Sequence, residues 1–493
     1  RGLGDVYKRQ ILVSAKAELD SSLEEYEKDE RIKIELNDTN RPDLWSEAGL
    51  LRLFALHRDS LKSNRPIYST FLSKKGEEKC VDDRYVIKVS DTVKNKRPYI
   101  AGFLVKGKKI SASELEMLIQ TQEKLCTNYG KKRQTLAMGI YRAGLINWPI
   151  SYATESSSFS FAPLGFEESL SIAEILKKHP KGIEYGELLK AFDSYPILKD
   201  SASQVLSLPP IINSNIIGAV QEGDDFLFVE ITGTQKSNVL LACNIVSSDL
   251  ADAGWQVLPV KIESEEETFV APFYFQKSIK VKLDLINNLL GAHLSLKDVI
   301  LALQKMDSYS SILDEQTLEV WIAPYRNDYL HPVDVVEDVM IALGLDSFAP
   351  EEPKDFTIGR LLPATLLARK IKRLLIGIGY EELIFNYLGS RSDYIEKMEA
   401  SSRNVLEVLN PISENYQFVR PSILPSLLAS EASSATATYP HKIFELGKIA
   451  YIEEGRNTTK TVNSLGFLTA EREANYNKIA SEISHLFYYL NLD

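Results

Sequence analysis

Hydrophobic positions change period several times along this chain. RYVIKVS (84–90), PYIAGFLVKG (98–107), VLSLPPIIN (205–213) and FLFVEITG (226–233) are short apolar or alternating runs. Each predicts a strand. Between them, Ser111 to Tyr129 carries helical spacing, and SASE at its start has the form of a capping box through Ser111 and Glu114. NVLLACNIVSSDLADAG (238–254) predicts a further helix, ending at Gly254 as a natural C-cap. Residues 85–260 therefore alternate strands and helices.

Acidic KIESEEET (261–268) predicts a linker and a domain boundary. Residues 279–348 then predict a compact unit. IKVKLDL (279–285) is a strand running into INNLLG, and Gly291 stops that helix. Ser295 and Asp298 start the next, which gives a helix–turn–helix. LEVWIAP (318–324) predicts a strand and VDVVEDVMIALGL (333–345) a helix. After the linker EEPKD (351–355), LPATLLARKIKRLLIGIG (362–379) predicts a helix. FNYLGS (385–390), FVRPSILPSLL (418–428) and FELGKIAYIEEG (444–455) predict strands. Near the start, residues 11–30 are Glu-rich and helical in character, and RIKIEL (31–36) alternates as a strand does. Asp43 or Ser46 caps the helix carrying Leu50, Leu51 and Phe54, and a mixed linker covers 64–84. RGLGDVYKRQ (1–10) shares no pattern with the rest of the chain and reads as foreign sequence. The absence of an opening Met, and a final apolar helix without a breaker, lead us to expect a fragment cut at both ends.

Composition narrows the class. With 493 residues, about three domains are expected at ~150 each. A chain 44% hydrophobic and 25% charged is an ordinary globular protein and not a disordered, collagenous or coiled-coil one. Cys80, Cys126 and Cys243 offer neither a disulfide framework nor zinc spacing, which points to a reducing cytoplasm. No run approaches the ~18 apolar residues of a membrane helix, and no signal peptide is recognisable. The net charge of −11 argues against nucleic-acid binding through bulk charge. That exclusion weakens locally, because residues 94–142 hold eleven Lys or Arg against three Glu. This balance of +8 leaves −19 on the other 444 residues.

Three constellations carry candidate chemistry. In PYRNDYLHPVDVVED (324–338), Asp334, Glu337 and Asp338 open a helix, where carboxylates suit the macrodipole. Asp328, on the preceding turn, can fold back onto the face shared by Asp334 and Glu337. Clustered hard oxygens without His or Cys also suit Mg²⁺. The basic turn GKKRQ, with Lys131, Lys132 and Arg133, is either a solvated loop or a phosphate-contacting patch. Finally, Glu230 and Thr232 leave their strand on one face, and Ser207 on another strand can join them. Such a trio can position water or read a hydroxyl. Walker, GxSxG, dinucleotide and HExxH motifs are absent. The six His residues show no metal spacing.

ELNDTNRPDLWSEAGLLR (35–52), RPYIAGFLVKG (97–107), YGKKRQTLAMGIY (129–141), FAPLGF (161–166), HPKGIEY (179–185), VLSLPPIINS (205–214) with VEITGT (229–234), PYRNDYLHPVDVVEDV (324–339), NPISENYQFVRPSILPSLL (410–428) and FELGKI (444–449) occur in that order. Together they resemble the β-subunit family of phenylalanine–tRNA ligase, in its short archaeal and eukaryotic-like form. The resemblance implies an α+β multidomain fold. Its parts would be a partial N-terminal domain (11–75), an α/β tRNA-editing domain (76–262), a small helix–turn–helix-like magnesium-binding domain (270–350) and a class II synthetase-like antiparallel sheet domain (356–493). The last would be catalytically degenerate, since no arginine-rich ATP-binding signature surrounds Arg420. The resemblance further implies an α₂β₂ heterotetramer, with ATP and phenylalanine handled on the α subunit and tRNA(Phe) as a partner. By position, Leu198, Ser207, Glu230 and Thr232 fall on a pocket that hydrolyses mischarged Tyr-tRNA(Phe). Asp328, Asp334, Glu337 and Asp338 fall on magnesium ligands, and Lys131, Lys132 and Arg133 would guide the tRNA. Archaeal members carry Asp where Glu230 stands. A scaffold without editing and a stand-alone deacylase are the competing readings.

Overall fold

The computed structural model describes residues 34–36, 40–57, 68–79, 81–350, 352–400, 404–434, 436, 438–453, 456 and 458–492. The chain divides into two compact units between residues 351 and 352. The readings of 1–10 as foreign, 11–30 as helical and 31–33 as strand lie outside the described residues.

The first unit opens with helix α1 (Glu47–His57), where Ser46 Oγ accepts from Gly49 N–H at 2.9 Å. Asp43 is instead buried against Arg41 in a short 3₁₀ turn. A mixed sheet comes next, built from β1 (Val86–Val89), β2 (Tyr99–Lys106), β3 (Leu136–Arg142), β4 (Ile150–Glu155), β5 (Tyr195–Lys199), β6 (Val205–Leu208), β7 (Ile212–Asn213), β8 (Phe226–Gly233), β9 (Gln256–Glu263) and β10 (Thr268–Ala271). Their order is β7-β6-β5-β4-β1-β9-β2-β8-β3, with β10 on β9. Helix α2 (Ala112–Lys124) starts with the expected capping box, and a π turn extends it to Tyr129. Helix α3 (Lys236–Asp252) packs on β2 and β8. Val239 through Ala251 are all buried, because α1 and the Phe273–Tyr274 segment cover the side that the sheet does not. Arg52 of α1 fastens this layer by ion pairs to Asp249 and Asp252, both at 2.5 Å.

Farther along, β11 (Ile279–Lys282), α4 (Leu283–Leu290), α5 (Leu296–Lys305), β12 (Tyr309–Asp314), β13 (Thr317–Trp321) and α6 (Pro332–Leu343) share their own apolar core. Gly291 ends α4 in a left-handed conformation, φ 62°. The Asn287 side chain then pins the turn by pairing with both backbone groups of Leu294. Ser295 and Asp298 form the capping box of α5, so the helix–turn–helix stands as expected.

The second unit holds α7 (Pro363–Gly377), α8 (Leu424–Ser433), the long hairpin of β14 (His441–Ile452) and β15 (Thr459–Ala470), and α9 (Tyr476–Leu490). Leu375, Tyr380, Phe444 and Leu486 form one core cluster there. Arg420 is fully buried and paired with Glu445 through two 2.8 Å contacts.

Four expectations are corrected. KIESEEET is no linker: β9 and β10 pair across it, with Val260 opposite Ala271 and Glu263 opposite Thr268. Its acidic residues cluster around a hairpin turn, which is solvated and needs no break between domains. Residues 205–213 are two antiparallel strands, because Pro209 and Pro210 lack the N–H groups that would continue β6. Residues 418–428 form a strand only over Phe418–Val419; Pro425 suits the first turn of α8. Ile34 to Leu36 carry no strand among the described residues.

Candidate functional site

The two ends of the ten-stranded sheet meet. Tyr141 on β3 reaches Ser207 on β6, Asn213 Nδ2 donates to the Ile140 carbonyl, and Arg142 N–H donates to Ile217 O. A cavity of about 490 Å³ lies at this closure, lined by Ser207, Glu230, Thr232, Tyr141, Asn213 and the Pro209–Ile211 segment among others. Alternation along β8 sends Phe228, Glu230 and Thr232 to one face. Glu230 stands in register with Gly102 on β2 and Gly139 on β3. A Cβ on Gly139 would come within 2.1 Å of Tyr141 Oη and 2.5 Å of Glu230 Oε2. Glycine at 139 is therefore what leaves room for the carboxylate.

Tyr141 is wholly buried and stacked on Phe228 with 5.7 Å between ring centroids. Its Oη lies 2.8 Å from Ser207 Oγ and 3.0 Å from Glu230 Oε2. Arg97 is also buried, donating from Nε to Thr232 Oγ1 at 3.0 Å and from Nη2 to Thr232 O at 2.7 Å. Its Nη1 reaches the carbonyls of Arg133 and Gln134. Arg97 thus acts on Glu230 at one remove. Burial pushes the Glu230 carboxyl up to about 7, and contacts with Tyr141, Arg97, Thr232 and the Gly139 N–H offset that only in part. Burial likewise lowers the Arg97 guanidinium and raises the Tyr141 phenol well above its ordinary value. A carboxyl near 7 can take or give a proton at neutral pH, and the surrounding hydroxyls can read a polar group on a ligand.

Ser207, Glu230 and Thr232 are therefore brought together. Leu198 is fully buried in the core in register with Ser207 and is not on the cavity wall. Lys131, Lys132 and Arg133 are three successive left-handed residues, with φ of 49°, 54° and 67°. Lys131 and Lys132 are exposed. Arg133 turns inward to the cavity rim, donating to the Pro210 and Ile211 carbonyls and lying over the Tyr185 ring. The basic turn therefore divides into two exposed cations and one structural one. Tyr141, Gly139 and Arg97 adjoin Glu230 and Thr232 and are absent from the sequence-based site. The alternation of LAMGIY, which puts Gly139 and Tyr141 on one face, is the signal that would have found two of them.

The acidic constellation behaves differently. Arg326, almost fully buried, donates to Asp338 through Nη1 (2.7 Å) and Nη2 (3.0 Å), and to Asp328 through Nε (3.0 Å) and Nη2 (2.5 Å). Tyr329 Oη adds a 2.5 Å contact to Asp338. Asp334 Oδ2 accepts from the N–H groups of Leu330 and His331, both at 2.6 Å, as the cap of α6. Glu337 is exposed on α6. Burial works against ionisation of Asp328, yet the Arg326 guanidinium holds it below its ordinary value. Among the described residues, no group of three or more His, Cys, Asp or Glu can hold a metal. Arg326 thus engages Asp328 and Asp338, while Asp334 caps α6. A second cation at Asp328 and Asp338 would have to displace a guanidinium already bonded to both, so this pair does not fit the ion.

Comparison with known proteins respects the same division of the chain. A family model described as the tRNA synthetase B5 domain matches residues 279–345, and one described as the phenylalanyl tRNA synthetase beta chain CLM domain matches 351–491. The phenylalanine–tRNA ligase beta subunit of Borrelia hermsii is 46% identical over 98% of this chain and 85% of its own length. That of Borreliella burgdorferi strain ZS7 is 45% identical over the same shares. Among solved structures, an N-terminal fragment of the phenylalanyl-tRNA synthetase beta subunit from Pyrococcus horikoshii matches with TM-score 0.57 and 33% identity, covering 63% of this chain and 86% of that one.

Proposed function

This chain belongs to the phenylalanine–tRNA ligase beta-subunit family, and from that premise we propose that its cavity hydrolyses tyrosine wrongly esterified to tRNA(Phe). In this reading an α subunit binds ATP and attaches phenylalanine, in an α₂β₂ assembly that works in the cytoplasm. No helix among the described residues is long and apolar enough to cross a membrane.

One observation carries the reading: Glu230, Thr232 and Ser207 converge in a single cavity around a carboxyl lifted to about 7. Tyrosine differs from phenylalanine by one hydroxyl. A synthetic site shaped for phenylalanine excludes that hydroxyl only moderately, whereas a site built to hydrogen-bond it rejects its absence by ~10⁴–10⁵. Glu230, ionised in part at neutral pH, reads the phenol or takes a proton from the attacking water. Thr232, held by Arg97, and Ser207, held by Tyr141, keep their hydroxyls in place. Lys131 and Lys132 meet the phosphates of the acceptor end, and Leu198 supports Ser207 from behind. The buried Arg420–Glu445 pair favours a non-catalytic role for the second unit, since an arginine neutralised internally is not offered to ATP.

The test is deacylation of Tyr-tRNA(Phe) by the complex co-expressed with the α subunit. Glu230→Ala is expected to slow it by ~10²-fold or more while phenylalanine charging continues. An unchanged deacylation rate removes Glu230 from the site.

A further inference from the structure

We propose that Tyr141 is a positioning residue of this cavity: its single phenolic hydrogen links Ser207 to Glu230, so the direction of the Ser207 hydroxyl depends on the charge on Glu230. The inference rests on the editing reading for its consequence but not for its geometry.

Tyr141 Oη has two close partners, Ser207 Oγ at 2.8 Å and Glu230 Oε2 at 3.0 Å, with Asn213 Oδ1 at the 3.5 Å margin, and one hydrogen to give. Its ring is wholly buried and stacked on Phe228, so the oxygen cannot swing away. Two arrangements satisfy all three groups. With Glu230 ionised, Tyr141 donates to the carboxylate and Ser207 donates to Tyr141. The lone pairs of Ser207 then serve the cavity as acceptors. With Glu230 protonated by solvent, the carboxyl donates to Tyr141 Oη, and Tyr141 donates to Ser207. The hydrogen of Ser207 is released to the cavity as a donor. One proton on Glu230 thus converts Ser207 from acceptor to donor without moving a heavy atom. A phenolic substrate can both donate and accept, so the pair Ser207–Glu230 can match it in either state. A phenylalanyl ring offers neither partner and leaves the chain of hydroxyls unanswered.

Charged and titratable groups reach Glu230 from several elements: Arg97 ahead of β2, Cys126 beyond α2, Tyr141 on β3 and Tyr152 on β4. Arg97 is committed to Thr232 and two carbonyls, and Tyr152 donates to the Arg97 carbonyl at 2.7 Å. Tyr141 is the group that touches both Glu230 and Ser207.

Tyr141→Phe keeps the stacked ring and removes only the link. In the co-expressed complex, the carboxyl C=O infrared band of Glu230, identified by its loss in Glu230→Gln, is titrated in wild type and Tyr141→Phe. We expect the midpoint to rise by about one pH unit, because the ionised form loses a charge-assisted donor, worth more than the acceptor the neutral form loses. The pH profile of Tyr-tRNA(Phe) deacylation should move with it, and the rate should fall ~10-fold. An unmoved midpoint overturns the link, whatever the activity. A midpoint that moves in a wild type unable to deacylate Tyr-tRNA(Phe) upholds the link and overturns the editing reading instead.

Discussion

Two buried acidic sites in the first unit differ in where their cation sits. Around Arg326, the guanidinium touches Asp328 and Asp338 directly, and Asp328 stays below its ordinary value despite burial. Around Glu230, the buried Arg97 spends its donors on Thr232 and on carbonyls, and the carboxyl rises to about 7. At Asp328 the cation in contact outweighs burial; at Glu230, with the cation one residue away, burial wins. Contact alone does not decide it, because Asp249, paired with Arg52 at 2.5 Å, is still pushed up to about 6 by burial. Acidic density in a sequence does not separate these cases; the balance between burial and the partner arginine does.

The contrast is broken most forcefully at Arg326. Replacing it with Leu leaves Asp338 buried without its counter-ion and Asp328 with only the more distant Arg41, which costs ~3–5 kcal/mol. Denaturant melts of wild type and variant measure this. Asp328 has a folded value below its unfolded one, so its stabilising contribution is present above the unfolded value and is lost as pH falls through the folded value. Arg326→Leu should therefore recover part of its deficit in acid, where the carboxylates are neutral.

A somewhat smaller effect is expected at Glu230, with the opposite sign. Its folded value of about 7 exceeds its ordinary 4.5. Stability from the neutral carboxyl is complete below the unfolded value and is lost as pH rises to about 7. Glu230→Gln should abolish that slope and stabilise the chain above pH 7 by ~2–3 kcal/mol, on the scale of 1.36 kcal/mol per pH unit. Thermal melts across pH 4–8 show whether the slope is present.

Gly139→Ala probes the space that holds Glu230 and Tyr141. Its methyl would meet Tyr141 Oη at 2.1 Å, and overpacking of this kind costs ~1–3 kcal/mol. Deacylation should fall with it, and a variant as stable and active as wild type would show that the site adapts freely. The smallest effect is expected from magnesium. With Arg326 already bonded to both carboxylates, millimolar Mg²⁺ should leave the melting temperature of the chain unchanged. A rise that grows with Mg²⁺ concentration would be linkage to a bound ion and would return these carboxylates to metal binding.

Local patterning made much of this legible. The full span of β8 (226–233), the capping boxes at Ser111 and Ser295, and the Gly291 stop arise from alternation, side-chain chemistry and backbone freedom within a few residues. Patterning allows Ser207 to join Glu230 but does not require it, because their meeting depends on the two ends of a ten-stranded sheet closing on each other. Tyr141 and Arg97 were hidden for the same reason. A tyrosine and an arginine in a basic, strand-rich stretch look like surface until the packing of β2, β3 and β8 buries them. The tie at Arg326, which stands two residues before Asp328 and twelve before Asp338, was equally hidden. Sequence spacing places those residues near one another without saying that the arginine fills the gap.

The most direct measurement is hydrolysis of Tyr-tRNA(Phe) by the complex with the α subunit, comparing wild type with Glu230→Ala under conditions where both charge phenylalanine equally. Wild type should clear the mischarged tRNA with an inflection near pH 7, and the variant should be slower by ~10²-fold or more. Equal rates in the two proteins, or no hydrolysis by wild type, would contradict the assignment of this cavity to editing.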